Sequence, residues 1–104
     1  MPEEQIDQVA TAVARGAAVI DVREPSEFAQ VHAAGAVNIP MGQLAARTGE
    51  LDMSRPVYVI CASGNRSAAM TDLLRGRGFD AINVAGGTAA WLRAGHPVRT
   101  GVTR

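Results

Sequence analysis

Four short, largely apolar runs, Ala17–Val22, Ala36–Ile39, Val57–Ile60 and Ala81–Val84, recur between segments of helical spacing. Runs of this length, rich in Val and Ile, predict strands buried on both faces, and such strands occur in parallel sheets covered by helices. Helical patterns fill the intervals. Ile6, Val9, Ala10, Val13 and Ala17 share one face, with Gly16 as a stop. Pro25 opens a short helix through Val31, since proline suits a first helical turn. Further helices are expected over Met41–Arg47, Ser67–Arg75 and Thr88–Ala94, with Thr48–Pro56 as a connector and Gly76 and Gly78 as a terminator. The fold class is therefore α/β: a small parallel β-sheet flanked by helices on both faces.

In sheets of this kind ligands bind beyond the carboxyl ends of the strands. Asp21, Asn38, Cys61 and Ala85 are expected along that edge. Cys61, the sole cysteine, directly follows Val57–Ile60 and precedes a short loop, Ala62-Ser63-Gly64-Asn65-Arg66, and then Ser67. A strand–loop–helix of this form aims backbone N–H groups and a helix N-terminus at whatever the loop encloses. A free thiol with a pKa of about 8.5 is only a few per cent thiolate at neutral pH. A drop of about two units would ionise roughly three quarters of it. A lone cysteine after a strand also reads as a small buried hydrophobe, but burying a thiol needs neither Gly64 nor Arg66.

Composition narrows the chemistry. The chain has 104 residues and reads as one domain, 1–104. All ten basic residues are Arg, which excludes a Schiff-base lysine and a lysine-based phosphate loop. Zero formal charge argues against a nucleic-acid partner. The charge is unevenly placed: residues 1–52 are acidic on balance, and residues 53–104, which hold Cys61, are basic. A single Cys permits neither an internal disulfide nor a CxxC pair. Two isolated His residues and one Cys lack metal-site spacing, so no metal is expected. Residues 1–8 lack the pattern of a signal peptide, and no apolar run approaches the length of a membrane span. A cytoplasmic location, with no membrane partner, is the expectation.

Four segments in order carry a family resemblance: Asp21-Val22-Arg23-Glu24-Pro25-Ser26-Glu27-Phe28, then His32–Pro40, then the loop Cys61–Ser67, then Gly86-Gly87-Thr88-Ala89-Ala90-Trp91. The chain resembles a single rhodanese domain over a core of about 5–97. Ala33 and Ala34 depart from the family's Ile-Pro after the histidine, and the leading strand is short or absent. The resemblance implies a thiosulfate sulfurtransferase. Cys61 would attack the sulfane sulfur of a small anionic donor such as thiosulfate and pass it, as a persulfide, to cyanide, a cellular thiol or a thiol protein. No cofactor is implied. A sulfur-carrying or redox-sensing module that works with a partner protein is the alternative. The Cys-x4-Arg spacing of Cys61 and Arg66 is one residue shorter than in the phosphatases and arsenate reductases that resemble this fold, which disfavours phosphate chemistry.

The remaining site residues read as follows. Ala62 and Ser63 are small and contribute backbone N–H groups, Gly64 serves a backbone conformation, and Asn65 is expected to cap the helix. Arg66 either binds the donor's anionic end or fixes the loop by an ion pair, with Asp21 its expected partner. Arg23, Glu24 and Glu27 read as a solvated salt-bridge group. His32 and Trp91 read as structural, His96 as exposed, and Gly86-Gly87 as a turn.

Overall fold

The computed structural model describes residues 1–102; residues 103–104 of the expected domain lie outside the described residues. The elements in order are β1 (Glu3–Glu4), α1 (Ile6–Ala14), β2 (Ala18–Asp21), α2 (Pro25–Gln30), β3 (His32–Ala33), β4 (Val37–Asn38), α3 (Met41–Leu44), β5 (Val57–Ile60), α4 (Asn65–Gly76), β6 (Ala81–Val84), α5 (Gly87–Arg93) and β7 (Val98–Arg99). A single 3₁₀ turn, Thr48–Glu50, lies in the connector before β5. Five strands form a parallel sheet in the order β1-β6-β5-β2-β4. The expected α/β fold is the one observed.

Strand order explains where a site can form. From β2 the chain adds β4 on one side, then returns to place β5 on the other side of β2 and β6 beyond it. The direction of growth reverses between β2 and β5, which opens a crevice outside their carboxyl ends. Asp21 ends β2, Cys61 follows β5, and the two strands are in register from Ala18 with Val57 to Asp21 with Ile60. The Val22 N–H donates to Ile60 O, which carries the pairing to the crevice.

All four residues of β5 are buried, as expected for a central strand with a layer on each face. Val57, Val59 and Cys61 face Leu44, Leu74 and Phe79 on the side of α3 and α4. Tyr58 and Ile60 face Val9, Phe28 and Trp91 on the side of α1, α2 and α5. Full burial of a side chain such as Leu74 or Phe28 contributes about 1.5–3 kcal/mol. Trp91 is a core residue, in keeping with its structural reading, and its Nε1–H donates to Pro97 O.

Several boundaries and one strand pairing differ from expectation. Helix α4 begins at Asn65 rather than Ser67, because Gly64 turns the chain with φ +108° and lets the helix start at once. Helix α3 stops at Leu44 rather than Arg47. A two-residue antiparallel pairing of β3 with β7 was not expected, since so short a ladder leaves no periodic signal. The leading strand β1 has two residues and pairs with β6, in keeping with the expectation that it is short. Among the described residues no helix is long and apolar enough to cross a membrane.

Candidate active site

Cys61 is buried at the floor of the crevice, on the side of the sheet that α4 covers. The chain then turns through Ala62 and Ser63 to Gly64, whose left-handed backbone brings its N–H to 3.1 Å from Cys61 Sγ. No L-residue holds that conformation without strain. The buried Ser67 hydroxyl reaches Sγ from the first turn of α4 at 3.2 Å. Burial pushes the Cys61 thiol up. The Ser67 hydroxyl and the backbone N–H groups of Ser67, Gly64 and Ser63 outweigh it, so the thiol lies below its ordinary range. The N-terminus of the twelve-residue α4 favours negative charge in the same place. The arrangement is a cradle for an anionic sulfur.

The outside of the loop is held just as firmly. Thr88 donates both its backbone N–H, at 2.8 Å, and its hydroxyl, at 3.0 Å, to Cys61 O, and the Ala89 N–H donates to Ala62 O at 3.0 Å. These N–H groups open α5 and have no partner within the helix, so the loop carbonyls satisfy them. With its carbonyls turned towards α5, the loop presents its N–H groups to sulfur. Gly87 permits that approach: a Cβ there would lie 2.5 Å from Cys61 O and 2.7 Å from Ala62 O. The pair Gly86-Gly87 is thus more than a turn. On the other flank, Asn83 Nδ2 donates to Glu3 Oε1 at 3.0 Å and lies 3.4 Å from Gly64 O.

Two ion pairs line the crevice, and they correct the expected wiring. Arg66 does not pair with Asp21. It makes a two-pronged contact with Glu27, Nη1 to Oε1 at 2.7 Å and Nη2 to Oε2 at 2.9 Å. Asp21 is fully buried and already taken by Arg23, which donates its backbone N–H, Nε–H and Nη2–H to the carboxylate. Arg66 sits partly exposed on the first turn of α4, where Glu27 of α2 faces it across the mouth. The group Arg23, Glu24 and Glu27 is therefore divided rather than uniformly solvated. Arg23 is buried and also donates to Val31 O, which ties β2 to the end of α2. Glu24 and Glu27 form a capping box at the start of α2.

Asn65 is not a cap. Gly64 occupies the N-cap position, no side chain caps α4, and Asn65 is its exposed first residue. His32 is buried and stacked on Phe28, with Nδ1 at 2.7 Å from Phe28 O, which fits the structural reading. His96 is half-buried rather than exposed, with Nε2 2.8 Å from Asp7 Oδ1. The sequence places Gly87 and Thr88 in a family segment and Gly86-Gly87 in a turn, but assigns neither them nor Asn83 to the Cys61 site. For the first two the signal was present: a glycine pair followed by a hydroxyl residue at a helix start. Asn83, lying in an apolar run, gave a weaker one. Among the described residues, no group of three His, Cys, Asp or Glu side chains could hold a metal ion.

Comparisons with known proteins bear on the family and the fold. The family described as Rhodanese-like domain matches residues 5–94. The uncharacterized protein YqhL of Bacillus subtilis (strain 168) is 44% identical over 78 residues, which make up 74% of this chain and 62% of YqhL. The chain thus spans less than two thirds of that relative. Thiosulfate sulfurtransferase GlpE of Pseudomonas putida (strain KT2440) is 37% identical over 86 residues, 82% of this chain and 77% of GlpE. The crystal structure of a rhodanese-related protein from Thermoplasma volcanium superposes with a TM-score of 0.89 at 32% identity, covering 95% of this chain and 98% of that one.

Proposed function

The chain belongs to the rhodanese-like family, and on that premise we propose that it moves a sulfane sulfur from thiosulfate or a related donor to a thiophilic acceptor through a persulfide on Cys61. One observation carries the reading: a buried thiol receives hydrogen bonds from Gly64 N–H and the Ser67 hydroxyl at a helix N-terminus. The Cys61 thiolate attacks the outer sulfur of thiosulfate. A Cys–S–S bond forms, the sulfur–sulfur bond of the donor breaks, and sulfite leaves with the electron pair. The terminal sulfur of the persulfide carries the negative charge and takes over the N–H groups of the loop. Cyanide, a cellular thiol or a thiol protein then attacks that sulfur and frees Cys61.

Hydrogen bonds to a charged group are worth about 1.5–3 kcal/mol each, so a few fixed donors suffice to favour thiolate and persulfide over the neutral thiol. The six-residue span from Cys61 to Arg66 supports a one-sulfur occupant over a phosphate. Turnover of thiosulfate with cyanide should follow ping-pong kinetics, and Cys61→Ser should abolish thiocyanate formation. Persistent turnover in that variant would overturn the mechanism. A wild type that accepts sulfur yet never passes it to cyanide would point to a carrier that needs a protein acceptor.

Ser67→Ala removes the hydroxyl donor and leaves the backbone donors. The thiol should rise towards its ordinary range. Its loading rate with thiosulfate should fall about tenfold at neutral pH, which corresponds to the loss of one such bond. Because only thiolate reacts, the two rates should converge as pH rises above the variant's pKa. A pH–rate profile that does not move would show that Ser67 acts on packing alone.

A further inference from the structure

Resting on that reading of Cys61, we propose that Glu27 sets donor choice: paired with Arg66, it leaves the mouth without net positive charge and favours a hydropersulfide, which reacts in its protonated RS–SH form, over dianionic thiosulfate. The two-pronged contact uses both terminal nitrogens of Arg66. Arg66 holds the Glu27 carboxyl down to about 2, so the pair stays ionised at any working pH. Arg66 stands on the first turn of α4, five positions after Cys61, and the Cys61 thiolate lies within its Coulombic reach. The buried Arg23 is matched by Asp21, and Glu24 beside Glu27 adds a further carboxylate. An incoming dianion therefore meets a thiolate and two internally neutralised arginines.

The protonated RS–SH form of a hydropersulfide, in equilibrium with its anion, brings no charge on its reacting sulfurs. The Cys61 thiolate attacks its outer sulfur, the RS–S bond breaks, and RS⁻ leaves with the electron pair. The proton stays on the transferred sulfur, so one negative charge stands on each side of the step. Ala62 and Ser63, next to Cys61, are small, as an R group at the mouth requires.

The test compares single-turnover sulfur loading of Cys61 from thiosulfate and from cysteine hydropersulfide, read by intact mass, in the wild type and in Glu27→Gln. Glutamine keeps an oxygen for the Glu24 N–H that Glu27 Oε1 now accepts, so α2 retains its start. With Arg66 unpaired, the thiosulfate rate constant should rise about five- to tenfold at low salt, the size expected for one charge facing a dianion. The hydropersulfide rate should move far less, and added salt should shrink the thiosulfate gain. Arg66→Gln in the Glu27→Gln background should erase that gain. An unchanged or lower thiosulfate-to-hydropersulfide ratio in Glu27→Gln, with Cys61 still loading, would overturn the inference and leave the sulfur-transfer reading standing. Failure of Cys61 to load from either donor would overturn both.

Discussion

Replacing Gly87 by alanine should destabilise the protein by about 3 kcal/mol or more and slow sulfur loading at least a hundredfold. The new Cβ would lie 2.5 Å from Cys61 O and 2.8 Å from the Ala62 carbonyl carbon. Real carbon–oxygen contacts do not come so close, and both neighbours are backbone, so no side-chain rotation can relieve the overlap. Either α5 or the Cys61 loop must shift. A shift would lengthen the bonds from Thr88 and Ala89 that turn the loop carbonyls outward. The loop N–H groups would then lose their aim at sulfur, and misplacement by an ångström is enough to lose about two orders of magnitude in rate. Gly16→Ala separates the two effects. Gly16 also has a positive φ, of +93°, but nothing lies within 4 Å of a Cβ there. That variant should show only the backbone cost of about 1 kcal/mol and load sulfur normally. Equal melting temperatures for the two variants would show that the overlap at Gly87 is absorbed elsewhere.

Asp21→Ala should cost about 3–5 kcal/mol, the range for breaking a buried ion pair from one side. The substitution strands the Arg23 guanidinium, which is buried beneath the crevice and loses three of its hydrogen bonds, together with the one its backbone N–H makes. For a domain of this size the loss corresponds to a drop in melting temperature of roughly 15 °C or more. Replacing both members, Asp21→Leu with Arg23→Met, should recover much of it, because the penalty lies in the uncompensated charge. The bond from Arg23 to Val31 O would still be lost, so α2 and the mouth beside Glu27 should loosen. A melting temperature that barely changes in Asp21→Ala would mean that Arg23 finds water or another acceptor.

The order of elements was legible because each strand left a compact apolar run and each helix a face. Val57–Ile60 and Ala81–Val84 appear in the structure with their expected limits, and the other elements differ by a few residues at their ends. The loop itself was legible from Gly64, whose positive φ is a requirement that few other residues meet. Charge partners were not. Asp21, Glu24 and Glu27 are three carboxylates within seven positions, and sequence distance does not tell which of them lies under the sheet edge and which faces α4. Burial decides it: Asp21 is the last residue of a central strand, whereas Glu27 sits on the first turn of α2. Asn65 read as a cap because a polar side chain at a helix start usually is one, yet Gly64 brings the backbone into the helix one residue earlier. The glycine pair and the hydroxyl residue were visible, but their partners were not, because the start of α5 meets the Cys61 and Ala62 carbonyls from some 25 residues away.

The most direct test of the central claim is the intact mass of the protein after exposure to excess thiosulfate, repeated after cyanide is added. The structure leads us to expect one added sulfur atom per chain, absent from Cys61→Ser, that disappears on cyanide treatment with release of an equal amount of thiocyanate. An unchanged mass in the folded wild type, or the same added mass in Cys61→Ser, would contradict it.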